Sequence, residues 1–471
     1  MSNYYLAIDI GASSGRHIIG YLDEFEKLQL EEIYRFDNGM IQKNGHLCWD
    51  VEKLFTEIVN GLKKCQEIGK IPKYMGIDTW AVDFVLLDKN DQMIGDAVGY
   101  RDVRTEGMDR LVYEKIPLEE LYAKTGIQKL SFNTIYQLMA VKTKRPEALM
   151  QAKSLLMIPD YFNFLLTGVK KFEYTNATST QLINAITNDW DTELIELLGY
   201  PRKIFGDISK PGTSVGMLSE KIAKEVGFNC EVLLPATHDT ASAVVAVPSN
   251  AEDTLYLSSG TWSLMGVERL EPDCSPKSMA YNFSHEGGYN YRYRYLKNIM
   301  GLWMIQELKK ELNDEYSFAE LCELASKEDI SSIVDCQDEV FLAPASMVLA
   351  LKQYCLETSQ PIPETASELA AVIYNSLAEC YHKTVVELEE MMEKTYPAIH
   401  IIGGGANAEY LNEITALRTG KDVYAGPVEA TAIGNIVVQM LATKVFSNLS
   451  TARECIYDSF EIKRYKGGAK L

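Results

Sequence analysis

Residues 4–22 read "YYLAIDIGASSGRHIIGYL". The apolar run before Gly11 and the alternation after Arg16 predict a strand, a tight turn and a second strand. Residues 253–270, "DTLYLSSGTWSLMGVERL", follow the same plan, with a strand, a glycine-and-hydroxyl turn and another strand. The repeat reads either as an internal duplication of the opening hairpin or as two unrelated Ser/Gly hairpins. Around these anchors, "LCWDVEKLFTEIVNGLKKCQEIG" has helical period with Asp50 as N-cap. "YMGIDTWAVDFVLLDKNDQMIGDAVGYRD" predicts an apolar strand and then a hairpin around Lys89 to Gln92. Residues 125–199 read as mostly helical. "ETASELAAVIYNSLAECYHKTVVELEEMMEK" is a long amphipathic helix with Leu369, Ile373, Leu377, Tyr381, Leu388 and Met392 near one face. "AIHIIGGGANAEYLNEITALRTGKDVYAG" predicts strand, glycine loop, helix and strand. A boundary near Pro235 to Ala246 divides the chain into residues 1–240 and 241–471, and "YKGGAK" closes it as a loose tail.

The 471 residues suit two or three domains, and a hydrophobic fraction of 46% supplies a substantial core. A formal charge of −20 argues against nucleic acid or an anionic membrane as partner, since both require a basic footprint. A phosphate-bearing ligand must therefore be met by local cations and backbone amides. The nine cysteines lack CxxC spacing and read as buried thiols in a reducing compartment. Neither a secretory leader nor a membrane-spanning apolar run is legible, so a cytoplasmic protein is expected.

In "DIGASSGR", Asp9 to Arg16, glycines let the backbone approach a ligand, and Ser13 and Ser14 add hydroxyls to the exposed amides. Such a turn can cradle phosphate oxygens. Arg16 adds a charge-assisted donor, and Asp9 can hold Mg²⁺ through water. A solvated hairpin turn is the plainer reading. "GASSG" also matches the nucleophile elbow G-x-S-x-G with Ser13 at its centre, which raises a hydrolase with His238 as base. That motif needs a helix after the serine, whereas "RHIIGYL" reads as a strand. The P-loop and the protein-kinase glycine loop are absent. Gly403 to Gly405 form a glycine turn suited to a nucleotide's sugar or base, or simply to a tight strand–helix connection.

"LPATHDTASAVV", residues 234–245, sets His238 and Asp239 side by side before a run of small residues. Asp239 or Thr240 suits a helix N-cap, which leaves His238 without a role. In the functional reading Asp239 is the general base for a substrate hydroxyl, its ionised form stabilised by the helix N-terminus. His238 and Thr240 then orient the base or the substrate.

Taken together, "DIGASSGR", "GIDTWAVDFVLLD", "YRDVRT", "FNTIYQL", "PDYFNFLLTG", "EYTNATSTQL", "HDTASAV", "YLSSGTWSLMG", "LKNIMGLW", "PIPE", "GGGANAEYLN" and "AGPVEATAIGN" resemble the FGGY family of carbohydrate kinases. They run in the family's order from Asp9 to Asn435. The resemblance implies an α/β fold of two ribonuclease-H-like domains, of the actin/hexokinase type, with a cleft between them. It implies ATP as co-substrate, Mg²⁺, and a small ketose, with no obligatory protein partner. "LKNIMGLW", "EYTNAT" and "AGPVEAT" point within the family to phosphorylation of L-rhamnulose at its 1-hydroxyl. L-fuculose, L-xylulose and a binding-only sensor are the rivals. Residue by residue, Ala12, Ser13, Ser14, Gly15 and Arg16 would bind ATP phosphates, with Thr261 facing them. His238, Asp239 and Thr240 match the substrate triplet whose aspartate accepts the proton. Asn298 would contact the sugar, and Gln306 and Gly404 the nucleotide. Where the family's "DTWGVDF" has a glycine against the sugar, this chain has Ala81, whose methyl tightens or alters the pocket.

Overall fold

The computed structural model describes residues 3–342 and 344–468. They divide into two compact units, each discontinuous in sequence. The first runs to Ala246 and adds Glu268–Tyr295 and Thr431–Ser459; the second comprises Val247–Val267, Leu296–Ala430 and the chain from Phe460.

The opening hairpin forms as its pattern predicts. Strands β1 (Tyr4–Ile10) and β2 (Ser14–Leu22) pair antiparallel across the turn. With β3 (Leu28–Asp37), β4 (Pro72–Thr79), β5 (Ser214–Met217) and β6 (Glu231–Leu233) they make a six-stranded sheet ordered β5-β6-β4-β1-β2-β3. Helix α1 (Val51–Glu67) connects β3 to β4, and the Asp50 carboxylate accepts from Lys53 N to cap it. The crossover makes β4 parallel to β1, and both strands are buried almost throughout, which is why each reads as a continuous apolar run.

The second unit opens the same way. Strand β7 (Leu255–Ser259) pairs antiparallel with β8 (Trp262–Arg269). Beyond β9 (Tyr293–Met300) come β10 (Ala398–Ile402), β11 (Asp422–Ala425) and β12 (Lys463–Tyr465), in a run ordered β9-β8-β7-β10-β11-β12. Ahead of β10 lies a 27-residue helix, Ala366–Met392, opened by a capping box between Thr365 and Glu368.

Three departures from the sequence reading have local causes. Residues 125–199 break into short helices, and Ser154–Met157 forms a strand paired with Phe84–Leu87, since a four-residue apolar run has no period to reveal it. The expected loose tail begins inside β12, where Tyr465 pairs with Val423 and Gly467 N donates to Asp422, although residues 469–471 lie outside those described. Asp239 is not an N-cap. It is the first residue of helix α2 (Asp239–Val245), with His238 at the cap and no side-chain capping bond.

Candidate functional site

The site in the first unit is assembled by the ends of β1 and β4. Their parallel register sets Asp9 directly opposite Asp78, and both carboxylates are buried. Beyond β4, Thr79 N donates to Thr237 O at 2.9 Å, and Thr79 forms a parallel bridge with His238. That contact carries α2 and Asp239 to the acidic strand ends. The Thr237–His238 backbone is held from behind by "EYTNAT". Buried Glu173 accepts from Thr237 N at 3.1 Å and Thr237 Oγ1 at 2.7 Å, and Thr175 Oγ1 accepts from His238 N at 3.3 Å.

Three like charges so placed are costly. Burial, then the charge of Asp9, pushes the Asp78 carboxyl well above its ordinary range. The same two causes, in the same order, raise Asp239 to about 7 against hydrogen bonds from Thr240. This corrects the expectation that the helix N-terminus would favour the ionised form: a seven-residue helix offsets less than burial and Asp9 impose. The Asp239 side chain nevertheless keeps 31% of its surface, so a substrate can reach it. Asp9 is partly neutralised by Arg16, whose Nη2 and Nε lie 2.9 and 3.1 Å from Oδ2.

Asp78 takes a 2.5 Å hydrogen bond from Asn435 Nδ2 on Oδ2, while its Oδ1 is buried with no partner. Asn435 lies on a helix, Ala430–Ala442, that from Thr431 onward belongs to the first unit. The same Nδ2 reaches Gly76 O, and Gln439 Nε2 donates to Leu6 O. A Cβ at Gly76 would stand 2.7 Å from Asn435 Oδ1, so only glycine admits this clamp. Among the described residues, no three His, Cys, Asp or Glu side chains are arranged to ligate a metal ion. Mg²⁺ does not need such a cage, because it binds through one or two carboxylates together with water and phosphate oxygens. Asp9 and the unpaired oxygen of Asp78 fit that demand.

The phosphate-type turn is open at its tip. Ser13 is exposed, Ala12, Ser14 and Arg16 are half-buried, and Gly15 packs under the Phe36 ring. Ala81 follows Trp80 in a loop pinned on all sides. Val82 takes φ +64, an unusual conformation for a β-branched residue, with its N–H on Ser179 Oγ and its carbonyl on Thr134 Oγ1. Asp83 accepts from Trp49 Nε1, Trp80 Nε1, the Tyr100 backbone and Gln137 Nε2, and burial still raises it to about 6. The Trp49 and Trp80 rings lie 3.9 Å apart and form an apolar wall beside Ala81.

The remaining predicted residues lie in the second unit. Thr261 Oγ1 is 3.4 Å from Gln306 Oε1, and Thr261 O accepts from Trp303 N. Gly403, at φ +85, and Gly405 press on Ser259, whereas a side chain at Gly404 would meet nothing within 4 Å. Asn298 is half-buried on β9. Asp78, Glu173 and Asn435 were missed as site residues. The available signal was the shared Ile-Asp at the ends of two apolar strands, Ile8-Asp9 and Ile77-Asp78.

Residues 4–246 match the N-terminal domain model of the FGGY family of carbohydrate kinases, and residues 255–443 match its C-terminal domain model. A rhamnulokinase from Halalkalibacterium halodurans is 55% identical over 98% of this chain and 98% of its own. One from Oceanobacillus iheyensis is 52% identical over 99% and 98%. Among solved structures, a ligand-bound xylulose kinase from Lactobacillus acidophilus superposes with a TM-score of 0.82 at 17% identity. The match covers 99% of this chain and 94% of that one. Plasmodium falciparum glycerol kinase with ADP gives 0.75 at 16% identity over 99% and 94%.

Proposed function

Because the chain belongs to the FGGY family of carbohydrate kinases, we propose that it is a rhamnulokinase, transferring the γ-phosphoryl group of ATP to the 1-hydroxyl of L-rhamnulose. The observation that carries this reading is 55% identity, over 98% of both chains, to a protein of that name.

Asp239 accepts the proton of the attacking hydroxyl. In a loose phosphoryl-transfer transition state the nucleophile needs placement more than strong basicity, and a carboxylate whose affinity for protons lies near neutrality can take the proton as the new bond forms. His238, Thr240, Ala81 and Asn298 contact the ketose. Ala12 to Arg16 hold the phosphates through backbone amides, hydroxyls and the Arg16 guanidinium. Thr261, Gln306 and Gly404 contact the nucleotide. Residues 1–240 form the sugar and phosphate side, and residues 241–471 the nucleotide side, which also supplies Asn298 to the ketose. Asp9 and Asp78 would hold Mg²⁺, which when bound neutralises charge on the phosphate oxygens. A cytoplasmic location accords with nine cysteines, all free. Among the described residues no helix is long and apolar enough to cross a membrane.

The test is coupled ADP release with Mg²⁺-ATP and a panel of L-rhamnulose, L-fuculose and L-xylulose, for wild type and Asp239→Asn. Turnover of L-rhamnulose is expected, reduced about 10²- to 10⁴-fold in a variant that stays folded. Preference for another ketose would overturn the substrate, and unchanged turnover in Asp239→Asn would overturn the base.

A further inference from the structure

Arg294 is fully buried, and its surroundings determine where a neighbouring proton sits. Its Nε donates to Gly287 O at 2.9 Å. Its Nη2 lies 3.0 Å from Glu286 Oε2 and 3.0 Å from His238 Nδ1. A guanidinium remains charged and offers only donors. His238 Nδ1 must therefore be the acceptor, because a proton on it would face the arginine N–H head-on. The competing acceptor for such a proton, Glu286 Oε2, is farther from Nδ1 at 3.4 Å and is engaged by the Arg294 charge. Burial, and then the Arg294 cation, keep His238 well below its ordinary range, so the ring is neutral. A neutral imidazole carries one N–H, which leaves the proton on Nε2. That nitrogen stands 3.5 Å from Asp239 Oδ1.

We propose that Arg294 is a positioning residue: it locks His238 as an Nε2–H donor facing Asp239, so the imidazole orients the base and cannot itself take the sugar's proton. The inference rests on Asp239 as the proton acceptor. It explains why two ionisable residues stand side by side in "THDT". One is held as a donor so that the other is the only acceptor at that point. Glu286 balances the Arg294 charge, which lets a buried cation sit against a neutral ring. An orienting partner of this kind determines tautomer and ring angle, as carboxylates and carbonyls do for other functional histidines.

The direct test needs no substrate. In the full-length protein labelled with ¹⁵N in its histidine rings, a long-range ¹H–¹⁵N correlation spectrum reads each tautomer, and His238→Gln identifies the His238 signals by their loss. The expected pattern is an unprotonated Nδ1 and a protonated Nε2, unchanged from pH 8 down to about 5.5. A protonated Nδ1, or an imidazolium within that range, overturns the inference whatever sugar is phosphorylated. Failure to phosphorylate any ketose overturns the proposed reaction and leaves the spectrum as it was.

Kinetics supply the second arm. Arg294→Met is expected to lower kcat by about 10- to 100-fold, with a smaller change in KM for the ketose. It should also raise the proton affinity of His238, since the cation is gone while Glu286 still faces Nδ1, and so add an acid-side ionisation that the wild-type profile lacks. Arg294→Lys, which keeps a charged donor, should recover part of the loss. A folded Arg294→Met enzyme with the wild-type pH profile and kcat overturns the proposal. If that variant does not fold, the wild-type spectrum alone decides.

Discussion

Strand β1 pairs antiparallel with β2 and parallel with β4, and β7 repeats that arrangement with β8 and β10. The frames agree while the side chains on them diverge. Two residues before the turn glycine, the first copy sets Asp9 opposite Asp78, where the second sets Ser258 opposite Ile402. One pair further in, His17 faces Ile8 in the first copy, and Met265 faces Leu257 in the second. After the parallel strand the first copy continues through Trp80, Ala81 and the strained Val82, the second through Gly403, Gly404 and Gly405. Strand pairing needs only apolar runs and a turn, so both copies satisfy it. Two buried carboxylates in register destabilise the fold through desolvation and like charge, and the proposed site lies in the copy that bears that cost.

Changing the first copy toward the second tests this division. The largest effect is expected from Asp9→Ser, which removes one member of the acidic pair. ADP release should fall about 10- to 100-fold, as it does when a group supporting a metal is lost, and more Mg²⁺ should be needed for half-maximal rate. The matching loss in Ser258→Ala should be far smaller. Equal losses in a Mg²⁺ titration of the two variants would erase the distinction between copies.

His17→Met gives the buried position its counterpart's residue. His17 is fully buried against the Tyr34 and Phe36 rings, with Nε2 donating to Ile58 O, and burial lowers it to about 4. The unfolded chain, at about 6.5, binds the proton that the folded chain refuses, so the stability due to this group is present above pH 6.5 and lost as pH falls toward 4. Between pH 7 and 5 the loss is about 2 kcal/mol by that linkage. Urea unfolding across this interval should show a shallower decline in His17→Met, and parallel declines would refute the assignment.

The smallest change is Ala81→Gly, which makes this loop more like the glycine turn of the second copy. If the Ala81 methyl packs on the ketose as proposed, deleting it should raise KM for L-rhamnulose about fourfold, equivalent to about 0.8 kcal/mol, with kcat unchanged. A fall in KM would show that the methyl crowds the ketose.

Legibility followed the range of the interaction. Both hairpins, the Asp50-capped helix, the long amphipathic helix after Thr365 and the glycine turn at Gly403 were readable because each depends on residues within a few positions of one another. The short strand at Ser154–Met157 was not, since its partner lies at Phe84–Leu87 and its own run is too brief to show a period. Asp9 and Asp239 could be singled out by type and neighbourhood. Asp78 has the same type and the same strand-end place as Asp9, yet nothing in one strand announces its register against another. Glu173, Arg294 and Asn435 were further out of reach, because what distinguishes them is a partner across the fold: Thr237, His238 and Asp78.

By itself the sequence determined most of the elements, the repeated strand–turn–strand design and the family. Period, turn residues and caps are local, and they survive in the unfolded chain. Tertiary structure alone decided which carboxylates meet, that Asp239 rises toward neutrality, and which nitrogen of His238 carries its proton. Those properties arise from charge, burial and hydrogen bonding over a few ångströms between residues up to 357 positions apart, and such distances exist only once the chain has folded.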